Sequence, residues 1–313
     1  MKKIVTFILV LSALSSCKIE EQSVYLFSYF TDNGQDGLHL AYSHDGLKWE
    51  ALNDGKSFLT PTVGKDRLMR DPSIVLDEDG VFHMVWTTGW WDQGIGYANS
   101  RDLVNWSEQQ NLPVMEGTPM TLNTWSPELF LDKSSETFYI FWSSTVAGTY
   151  HEPGTEVPEE DLYHSQYYVT TKDFIDFSET KPYFEPEFSV IDGAMIRIDD
   201  RYHLFIKDET KTPAEKNIRL TSNDKPHDFP TDVSDSITGD YWAEGPSPLQ
   251  IGEYVYVYFD KYTQGRYGAV RSNDMKNWED VSDLISFPKG ARHGTAFKVP
   301  ARTLSGIASA LND

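Results

Sequence analysis

The sequence predicts an all-β fold, a five-bladed β-propeller of four-stranded antiparallel blades. Three observations lead to this prediction. Strand patterns fill the chain while helical patterns are almost absent, two short motifs alternate along it, and the polar members of the second motif recur every 49 to 64 residues. That interval suits a four-stranded propeller blade with its loops. With 39% hydrophobic and 14% aromatic residues, the 313-residue chain can bury a large core.

Five runs of β-branched and aromatic residues, bounded by Gly, Asp, Asn or Pro, are the strongest strand signals. They lie at 24–30, 81–87, 137–143, 202–206 and 254–259. The first repeated motif is Ser or Thr, one residue, Asp, and then an aromatic residue. Its copies lie at 43–49, 100–106, 171–177, 222–229 and 272–278. In each copy we expect the first residue to end a strand, the Asp to cap the loop backbone and the aromatic residue to begin an outer strand.

The second motif places one polar residue near the start of each innermost strand. Its five polar members are Asp71, Glu128, Asp192, Glu244 and His293. We expect them to converge on one mouth of the axial channel. No strands follow the one at His293, whereas 24–49 supplies outer strands without an inner one. The two ends of the chain are therefore predicted to share a blade, which closes the ring and leaves no open sheet edge.

The first 16 residues are predicted to be a lipoprotein signal peptide. A basic start, a short apolar run and two serines precede Cys17, the only cysteine in the chain. We expect 17–23 to be a lipidated linker and 24–313 to be the propeller domain. Lipid on Cys17 would anchor the protein to the bacterial outer membrane, on the cell surface or on the periplasmic face. A cleaved secretory peptide or a buried structural cysteine is the alternative.

The chain is strongly acidic. Its formal net charge is −21, which becomes −23 when the two lysines of the signal peptide are removed. Such a protein repels nucleic acids and anionic polymers, and no basic cluster offsets the charge. We therefore expect a neutral ligand as partner, no nucleic acid, and a monomer.

Glu244 is the strongest candidate for a catalytic acid. It follows the aromatic pair at 241–242 and precedes a Gly-Pro turn at the start of a strand. Partial desolvation at such a place would keep a carboxyl protonated near neutral pH. The alternative for this segment alone is a surface turn with a solvated glutamate. The recurrence of similar segments along the chain favours the catalytic interpretation.

From about residue 24 to its end, the chain resembles family 43 glycoside hydrolases, five-bladed propellers that act on plant-type furanosides and xylosides. In that family an aspartate in a D-P-S motif is the general base, a third-blade aspartate tunes and orients the acid, and a glutamate in an E-G-P motif is the general acid. Asp71, Asp192 and Glu244 match these motifs in order and blade position. Each motif is short, so their joint order is the specific signal.

The resemblance also covers the other two blades. His293 matches the family's fifth-blade histidine near the channel, where a calcium ion or a water often sits. We expect no required cofactor, with Ca²⁺ as an optional ligand there through water. Glu128, in Trp-Ser-Pro-Glu, takes a place where many members have aspartate. The chain departs from the family in two ways. About fifty residues, 24–70, precede the strand of the base, and the Arg-Asp-Pro triplet also occurs in invertase-like retaining propellers. Those propellers carry a W-x-N-D-P-N-G nucleophile motif, of which this chain has only Thr-Asp-Asn-Gly at 31–34.

The expected chemistry needs three carboxyl groups. Glycoside cleavage builds positive charge on the sugar ring, so carboxylates stabilise the transition state while one carboxylic acid protonates the leaving oxygen. In an inverting site Asp71 would deprotonate water on one face of the sugar and Glu244 would protonate the leaving group on the other. Asp192 would raise the pKa of that acid by like-charge repulsion.

The ends of the second strands should share the catalytic face with the starts of the first strands. On this basis and on the motifs, the predicted substrate-binding residues are Trp90, Trp91, Trp125, Glu128, Lys207, Arg292 and His293. Burial between blades is the alternative for the tryptophans, and an exposed salt bridge for Lys207. An insertion at 146–164 leaves from the same face, so it either walls a pocket or is an acidic excursion.

These observations predict an inverting exo-glycoside hydrolase that releases terminal furanosyl units, above all α-L-arabinofuranosyl units, from plant polysaccharide or oligosaccharide. A narrow mouth with bulky rim residues favours a blind pocket for one sugar. The alternatives are a β-galactofuranosidase or β-xylosidase of the same fold, an invertase-like retaining hydrolase, and a non-catalytic glycan-binding surface lipoprotein. A binder would not need all three acid–base positions.

Overall fold

The structure, a computed structural model, describes residues 23–149, 158 and 162–312. Cys17 and the signal peptide lie outside the described residues, so lipidation stays a prediction. The centre of the insertion at 146–164 also lies outside the described residues. The described residues form five antiparallel β-sheets arranged as the blades of a propeller. The predicted fold class is confirmed. No helix in this part of the chain is long and apolar enough to cross a membrane.

The structure contains nineteen strands and one α-helix in the described residues. The first nine strands are β1 (Ser23–Phe30), β2 (His39–Ser43), β3 (Glu50–Ala51), β4 (Arg70–Leu76), β5 (Phe82–Thr87), β6 (Ile95–Ser100), β7 (Gln110–Leu112), β8 (Trp125–Asp132) and β9 (Thr137–Ser144). The next nine are β10 (Ser165–Thr171), β11 (Lys181–Phe184), β12 (Val190–Ile198), β13 (Arg201–Asp208), β14 (Ile218–Asn223), β15 (Glu244–Ile251), β16 (Tyr254–Lys261), β17 (Arg266–Ser272) and β18 (Glu279–Asp280). The last elements are β19 (Arg292–Pro300) and α1 (Arg302–Ala310).

Four blades follow one another along the chain, and the fifth joins its two ends. The blades are β4–β7, β8–β11, β12–β14, β15–β18 and, for the fifth, β19 with β1–β3. In the fifth blade β19 pairs antiparallel with β1 from Ser23↔Pro300 to Phe30↔Arg292. The predicted closure is confirmed. Helix α1 was not predicted; it follows β19 and buries Ile307 against the core between the first and fifth blades.

The third blade has three strands instead of the predicted four. Its outer segment makes two separate backbone hydrogen bonds to β14, from Ser234 N–H to Leu220 O at 2.8 Å and from Ile237 N–H to Ile218 O at 2.9 Å. Pro230 lies where the outer strand would begin. Because proline has no N–H to donate to the ladder, it opposes strand pairing at this place.

The predicted turn motif forms in four of its five copies. In the first copy Ser43 Oγ accepts the N–H of Gly46 at 2.9 Å, and Asp45 Oδ1 accepts the N–H groups of Leu47 and Lys48 at 2.7 and 2.9 Å. The copies that begin at residues 100, 171 and 272 make the same bonds. The copy at 222–229 differs, since the Asn223 amide donates to the carbonyl oxygens of 227 and 228 instead.

The hydrophobic core consists of five clusters, one between each pair of neighbouring blades. Between the fourth and fifth blades, the Phe27 ring packs edge-on against Tyr267 at 5.3 Å and against Trp49 at 5.6 Å. Ring pairs of this kind contribute ~0.5–1.5 kcal/mol beyond their buried area. Because the apolar side chains lie between the blades, the axis is left to polar residues of the innermost strands.

Candidate active site

All five innermost strands carry a β-bulge at the axial mouth. Their register shifts lie at 70–73, 125–128, 191–194, 244–247 and 292–295. Within the shifts, four residues have positive φ angles between 50° and 61°: Asp71, Ser126, Asp192 and Gly245. A non-glycine residue in this region costs roughly 1–3 kcal/mol, and bulges near active sites change the direction of a side chain. Two of the predicted catalytic residues, Asp71 and Asp192, therefore lie in strained backbone at the bulges.

The bulges show which motif residues are structurally equivalent. Asp71 and Asp192 occupy the same position in their blades, whereas Glu244 lies one residue before it and Glu128 two residues after it. Counting residues along the sequence could not reveal these offsets. The prediction that all five polar members share the mouth is right for four of them and wrong for Glu128.

Glu128 lies deeper in the axial channel, away from the mouth. Its carboxylate accepts a hydrogen bond from Thr295 Oγ1 at 3.3 Å, across the ring of blades. Burial raises the pKa of Glu128 to about 7, although Ser73, His293 and Thr295 lower it. The structure therefore gives Glu128 a place inside the propeller, not in the predicted substrate-binding set.

The other four polar members line one cavity of about 290 Å³ at the mouth. This volume is at the small end for ligand pockets, so it suits a ligand of about one sugar ring. The lining residues are Arg70, Asp71, Thr87, Gly89, Trp90, Trp125, Ser126, Leu162, His164, Ile191, Asp192, Glu209, Lys211, Glu244, Tyr262, Arg292 and His293.

Asp71 is buried and held by partners that favour its charged form. Thr87 Oγ1 donates to its Oδ2 at 2.8 Å, and His293 Nδ1 lies 3.3 Å from its Oδ1. Burial alone would raise the pKa of Asp71, but the hydrogen bond and charge of His293, with the charge of Arg70, outweigh it and lower the pKa to about 2. The group is therefore an ionised carboxylate, as a general base requires.

Asp192 connects three blades. Ser126 Oγ of the second blade donates to its Oδ1 at 2.6 Å, and the Gly245 N–H of the fourth blade donates to its Oδ2 at 2.9 Å. Because Gly245 directly follows Glu244, this bond fixes the backbone that carries the candidate acid. The geometry agrees with an orienting role for Asp192.

His293 carries a positive charge beside the catalytic candidates. Burial lowers its pKa, but the charges of Asp192 and Asp71 and the hydrogen bond to Asp71 outweigh burial and raise the pKa to about 9. A Cβ atom on Gly245 would lie 2.5 Å from His293 Cδ2, so glycine is needed for the ring to pack there. The ring thus contacts Asp71 on one side and the backbone next to Glu244 on another.

The optional calcium ion beside His293 stays a prediction. A protonated imidazole has no lone pair with which to ligate a metal ion directly, although its N–H groups can donate to an oxygen. In the described residues no group of three or more His, Cys, Asp or Glu side chains is placed to hold a metal ion. We therefore derive no step through a metal.

Glu244 is the neutral partner of Asp71. Burial, then the charges of Asp192 and Asp260, raise the pKa of Glu244 to about 8, although His293 and Arg292 act in the opposite direction. Arg292 Nη2 lies 3.2 Å from Glu244 Oε1, while its Nε donates to Asp260 Oδ2 at 2.6 Å. Arg292 is thus at the cavity as predicted, and it is paired with two carboxyls.

Trp90 and Trp125 form the aromatic wall of the cavity. Their rings meet edge to face at 5.6 Å, and Trp125 Nε1 donates to the Trp90 carbonyl oxygen at 2.8 Å. The Arg70 guanidinium lies 4.5 Å from the Trp90 ring and 4.8 Å from the Phe30 ring. Both tryptophans are at the predicted place. Trp91 lies outside this cavity and is 44% exposed.

Lys207 does not face the cavity as predicted. It forms a salt bridge to Glu209, whose Oε2 lies 3.6 Å from Lys207 Nζ, but this salt bridge is buried on the lysine side and not exposed. The lysine side chain is 1% exposed, and Nζ donates to the carbonyl oxygens of Asp208 and, at 3.1 Å, Glu215. Glu209 and Lys211, which follow β13, line the cavity instead. Extending the strand-end rule by a few residues would have found them.

The C-terminal end of the insertion at 146–164 can be compared with the prediction. Leu162 and His164 line the cavity, which supports a pocket wall. Asn123 Oδ1 accepts the Thr145 N–H at 2.8 Å, so its Nδ2 is the donor to His164 Nε2 at 2.9 Å. Burial lowers the pKa of His164 to about 3, so this histidine is neutral. The predicted pocket wall includes this residue, but nothing in the sequence singles it out within the insertion.

A family model described as a probable glycosyl hydrolase domain matches residues 20–304. An α-L-arabinofuranosidase of Bifidobacterium longum subsp. longum is 25% identical over 186 residues, which are 53% of this chain and 17% of that protein. The chain therefore matches only a small part of this curated relative.

Two solved structures share the fold. The α-L-arabinofuranosidase from Lactobacillus brevis has a TM-score of 0.55 at 14% identity, covering 68% of this chain and 72% of that one. The exo-β-1,3-galactanase from Phanerochaete chrysosporium, solved with β-1,3-galactotriose, has a TM-score of 0.52 at 12% identity, covering 71% and 52%. Since the family model covers most of the chain, and the chain folds as a five-bladed propeller, the protein belongs to this glycosyl hydrolase family, which is related to glycoside hydrolase family 43.

Proposed function

We propose that this protein is an inverting, exo-acting glycoside hydrolase that releases terminal α-L-arabinofuranosyl units from plant polysaccharide. One observation carries the proposal: two carboxyls of one cavity have opposite pKa shifts. The pKa of Asp71 is lowered by His293 and Arg70 despite burial, and that of Glu244 is raised by burial and by nearby carboxylates. Paired groups of this kind serve as base and acid in glycoside cleavage.

In the proposed mechanism Asp71 accepts a proton from a water that attacks the anomeric carbon, and Glu244 donates its proton to the departing glycosidic oxygen. His293 contacts Asp71 and packs against Gly245, so its ring occupies space between the two carboxyl-bearing strands. An inverting site needs room for the attacking water between the base and the sugar. Carboxylates around the cavity stabilise the positive charge that develops on the ring.

The invertase-like alternative lacks a nucleophile at the expected place. Its nucleophile would come from the segment 31–34, where Asp32 is the carboxylate. Asp32 is not among the described residues that line the cavity. Asn33 Oδ1 instead accepts a hydrogen bond from Arg70 Nη1 at 2.8 Å. This arrangement supports inversion over retention.

The shape of the cavity supports single-sugar release. Trp90, Trp125, Leu162 and His164 wall a volume of about 290 Å³. A terminal furanosyl unit fits such a pocket better than the middle of a polymer does. The choice of arabinose is supported by the relative at 25% identity, which is an α-L-arabinofuranosidase.

The proposal is tested by a panel of nitrophenyl glycosides and by products from a branched polymer. We expect the α-L-arabinofuranoside to be cleaved fastest, and arabinose to be released from arabinan with little loss of viscosity. Faster cleavage of a β-D-galactofuranoside or a β-D-xyloside would contradict the proposed sugar specificity but not the proposed reaction. Early oligosaccharides with a rapid fall in viscosity would contradict exo action, and no cleavage of any glycoside would contradict the function.

The pKa shifts also predict the pH profile. Glu244 must be protonated and Asp71 ionised, so kcat/KM should fall as pH rises through the pKa of Glu244, about 8, and as it drops towards that of Asp71, about 2. Asp260→Asn removes a negative charge that raises the pKa of Glu244. We therefore expect the alkaline limb of this variant to move to lower pH.

The pH prediction is checked by kcat/KM profiles on one aryl glycoside. Asp283→Asn is the matched control, because this aspartate side chain is 96% exposed on the same blade. The control should retain the wild-type limb. An alkaline limb in Asp260→Asn that stays in place or moves upward would show that Glu244 is not the group that titrates.

A further inference from the structure

A second cavity adjoins the first on the rim of the propeller. It is an open groove of about 520 Å³, and its lining includes Lys65, Trp91, Asn111 and Glu116. The loop after β5 borders both cavities, since Trp90 lines the first and Trp91 the second. The Trp91 ring lies 6.3 Å from the ring of Trp125 in the first cavity. A ligand seated in the pocket would therefore have this groove as its neighbour.

Trp91 is exposed, whereas every other Phe, Tyr and Trp that the structure describes is buried or partly buried. Its 44% exposure is the largest of any Phe, Tyr or Trp that the structure describes. An indole ring combines a broad apolar face with one N–H donor, which suits the flat C–H face of a sugar and an adjacent hydroxyl. Burying that face against a ligand would remove apolar surface from water.

The groove around Trp91 is held by specific contacts. Asp92 Oδ2 accepts the Thr88 hydroxyl at 2.7 Å and the Lys65 N–H at 2.9 Å. A Cβ atom on Gly64, which has a φ of 84°, would lie 2.3 Å from Thr88 Cβ, so the two loops can approach only with glycine there. Lys65, Asn111 and Glu116 place donors and acceptors of mixed charge along the edge. A neutral polyhydroxylated ligand fits this set better than a charged one.

We propose that this groove, with Trp91 as its platform, binds a sugar on the leaving-group side of the scissile bond, a main-chain unit of the branched polysaccharide. The inference rests on the proposed function. In a pocket that holds only the terminal sugar, every other sugar in contact with the enzyme belongs to the leaving group. The groove would therefore favour polymer-borne units over small glycosides.

The test compares Trp91→Ala with the wild type on arabinan and on 4-nitrophenyl α-L-arabinofuranoside. We expect the loss of kcat/KM on the polymer, carried by KM, to exceed the loss on the aryl glycoside by about tenfold or more, as for a buried tryptophan contact. Leu284→Ala, which changes another exposed apolar residue, is the control and should leave both values unchanged. Equal losses on both substrates, or none, would overturn the proposal.

A binding experiment keeps the two proposals separate. Electrophoresis through gels containing arabinan compares Glu244→Gln with the double variant Glu244→Gln/Trp91→Ala. We expect retardation of the first and about tenfold weaker retardation of the second. Equal retardation would overturn the groove even if the enzyme cleaves arabinofuranosides. An enzyme that cleaves no glycoside while Trp91→Ala still abolishes retardation would overturn only the proposed reaction.

Discussion

Replacing Glu244 by glutamine is expected to lower kcat on natural substrates by ~10²–10⁴-fold, the usual contribution of general acid catalysis. The amide keeps the size of the side chain and has no acidic proton to give to the leaving oxygen. Aryl glycosides with good leaving groups need little protonation, so the variant should regain much of its rate on them. In a plot of log kcat against the leaving-group pKa, the variant should therefore show a steep slope where the wild type is nearly flat.

Two controls accompany the Glu244 experiment. Glu253→Gln changes an exposed glutamate in the turn between β15 and β16 and should behave as the wild type. Thermal unfolding of Glu244→Gln should show a folded protein, since Arg292 keeps its contact with Asp260 at 2.6 Å. An equal loss on every leaving group would remove Glu244 from the role of acid.

Asp71→Asn is expected to lower kcat by ~10²–10⁴-fold or more on every substrate, whatever its leaving group. An amide cannot accept the proton of the attacking water. Its oxygen can still accept the Thr87 hydroxyl, which lies 2.8 Å from the native carboxylate, so the fold should be kept. Kinetics on the same aryl glycoside series, with circular dichroism of the variant, measure both effects.

Thr87→Val separates the charge of Asp71 from its positioning. This variant removes the hydroxyl that donates to Oδ2 and keeps the carboxylate beside His293. We expect a smaller loss than for Asp71→Asn, since one hydrogen bond to a charged group contributes about 1.5–3 kcal/mol. If Asp71→Asn recovered rate on good leaving groups as Glu244→Gln does, the assignment of Asp71 as the base would be wrong.

The configuration of the first product decides between inversion and retention. Proton NMR during hydrolysis of an aryl glycoside should show the inverted anomer before mutarotation. The reason is that Asp71 is expected to activate water and not to bond to the sugar. Retention would favour the invertase-like alternative and would call for a nucleophile among the carboxylates of the cavity.

Features that depend on neighbours in sequence were predicted well. The turn motif is one example, since Ser43 and Asp45 bond to N–H groups two or three residues away. Five copies of that motif and five innermost strands were enough to predict the number of blades and the shared closing blade. The order of Asp71, Asp192 and Glu244 also placed them on the first, third and fourth blades, as the structure shows.

Features that depend on contacts between blades were decided only by the tertiary structure. His293 of the fifth blade lies 3.3 Å from Asp71 of the first and 3.8 Å from Asp192 of the third. The opposite pKa shifts of Asp71 and Glu244 follow from such contacts and from burial, which no single stretch of sequence contains.

Offsets of one to four residues account for the errors. Lys207 is buried while Lys211 lines the cavity, and Trp90 lines it while Trp91 does not. Successive residues of a strand point to opposite faces, and each bulge adds a residue that reverses this alternation. Sequence by itself determined the blades and the order of the acidic residues, because both follow from local hydrogen bonding and strand patterns. The bulges and the meeting of five strands at the axis determined which of those side chains share a cavity, because only long-range packing sets their directions.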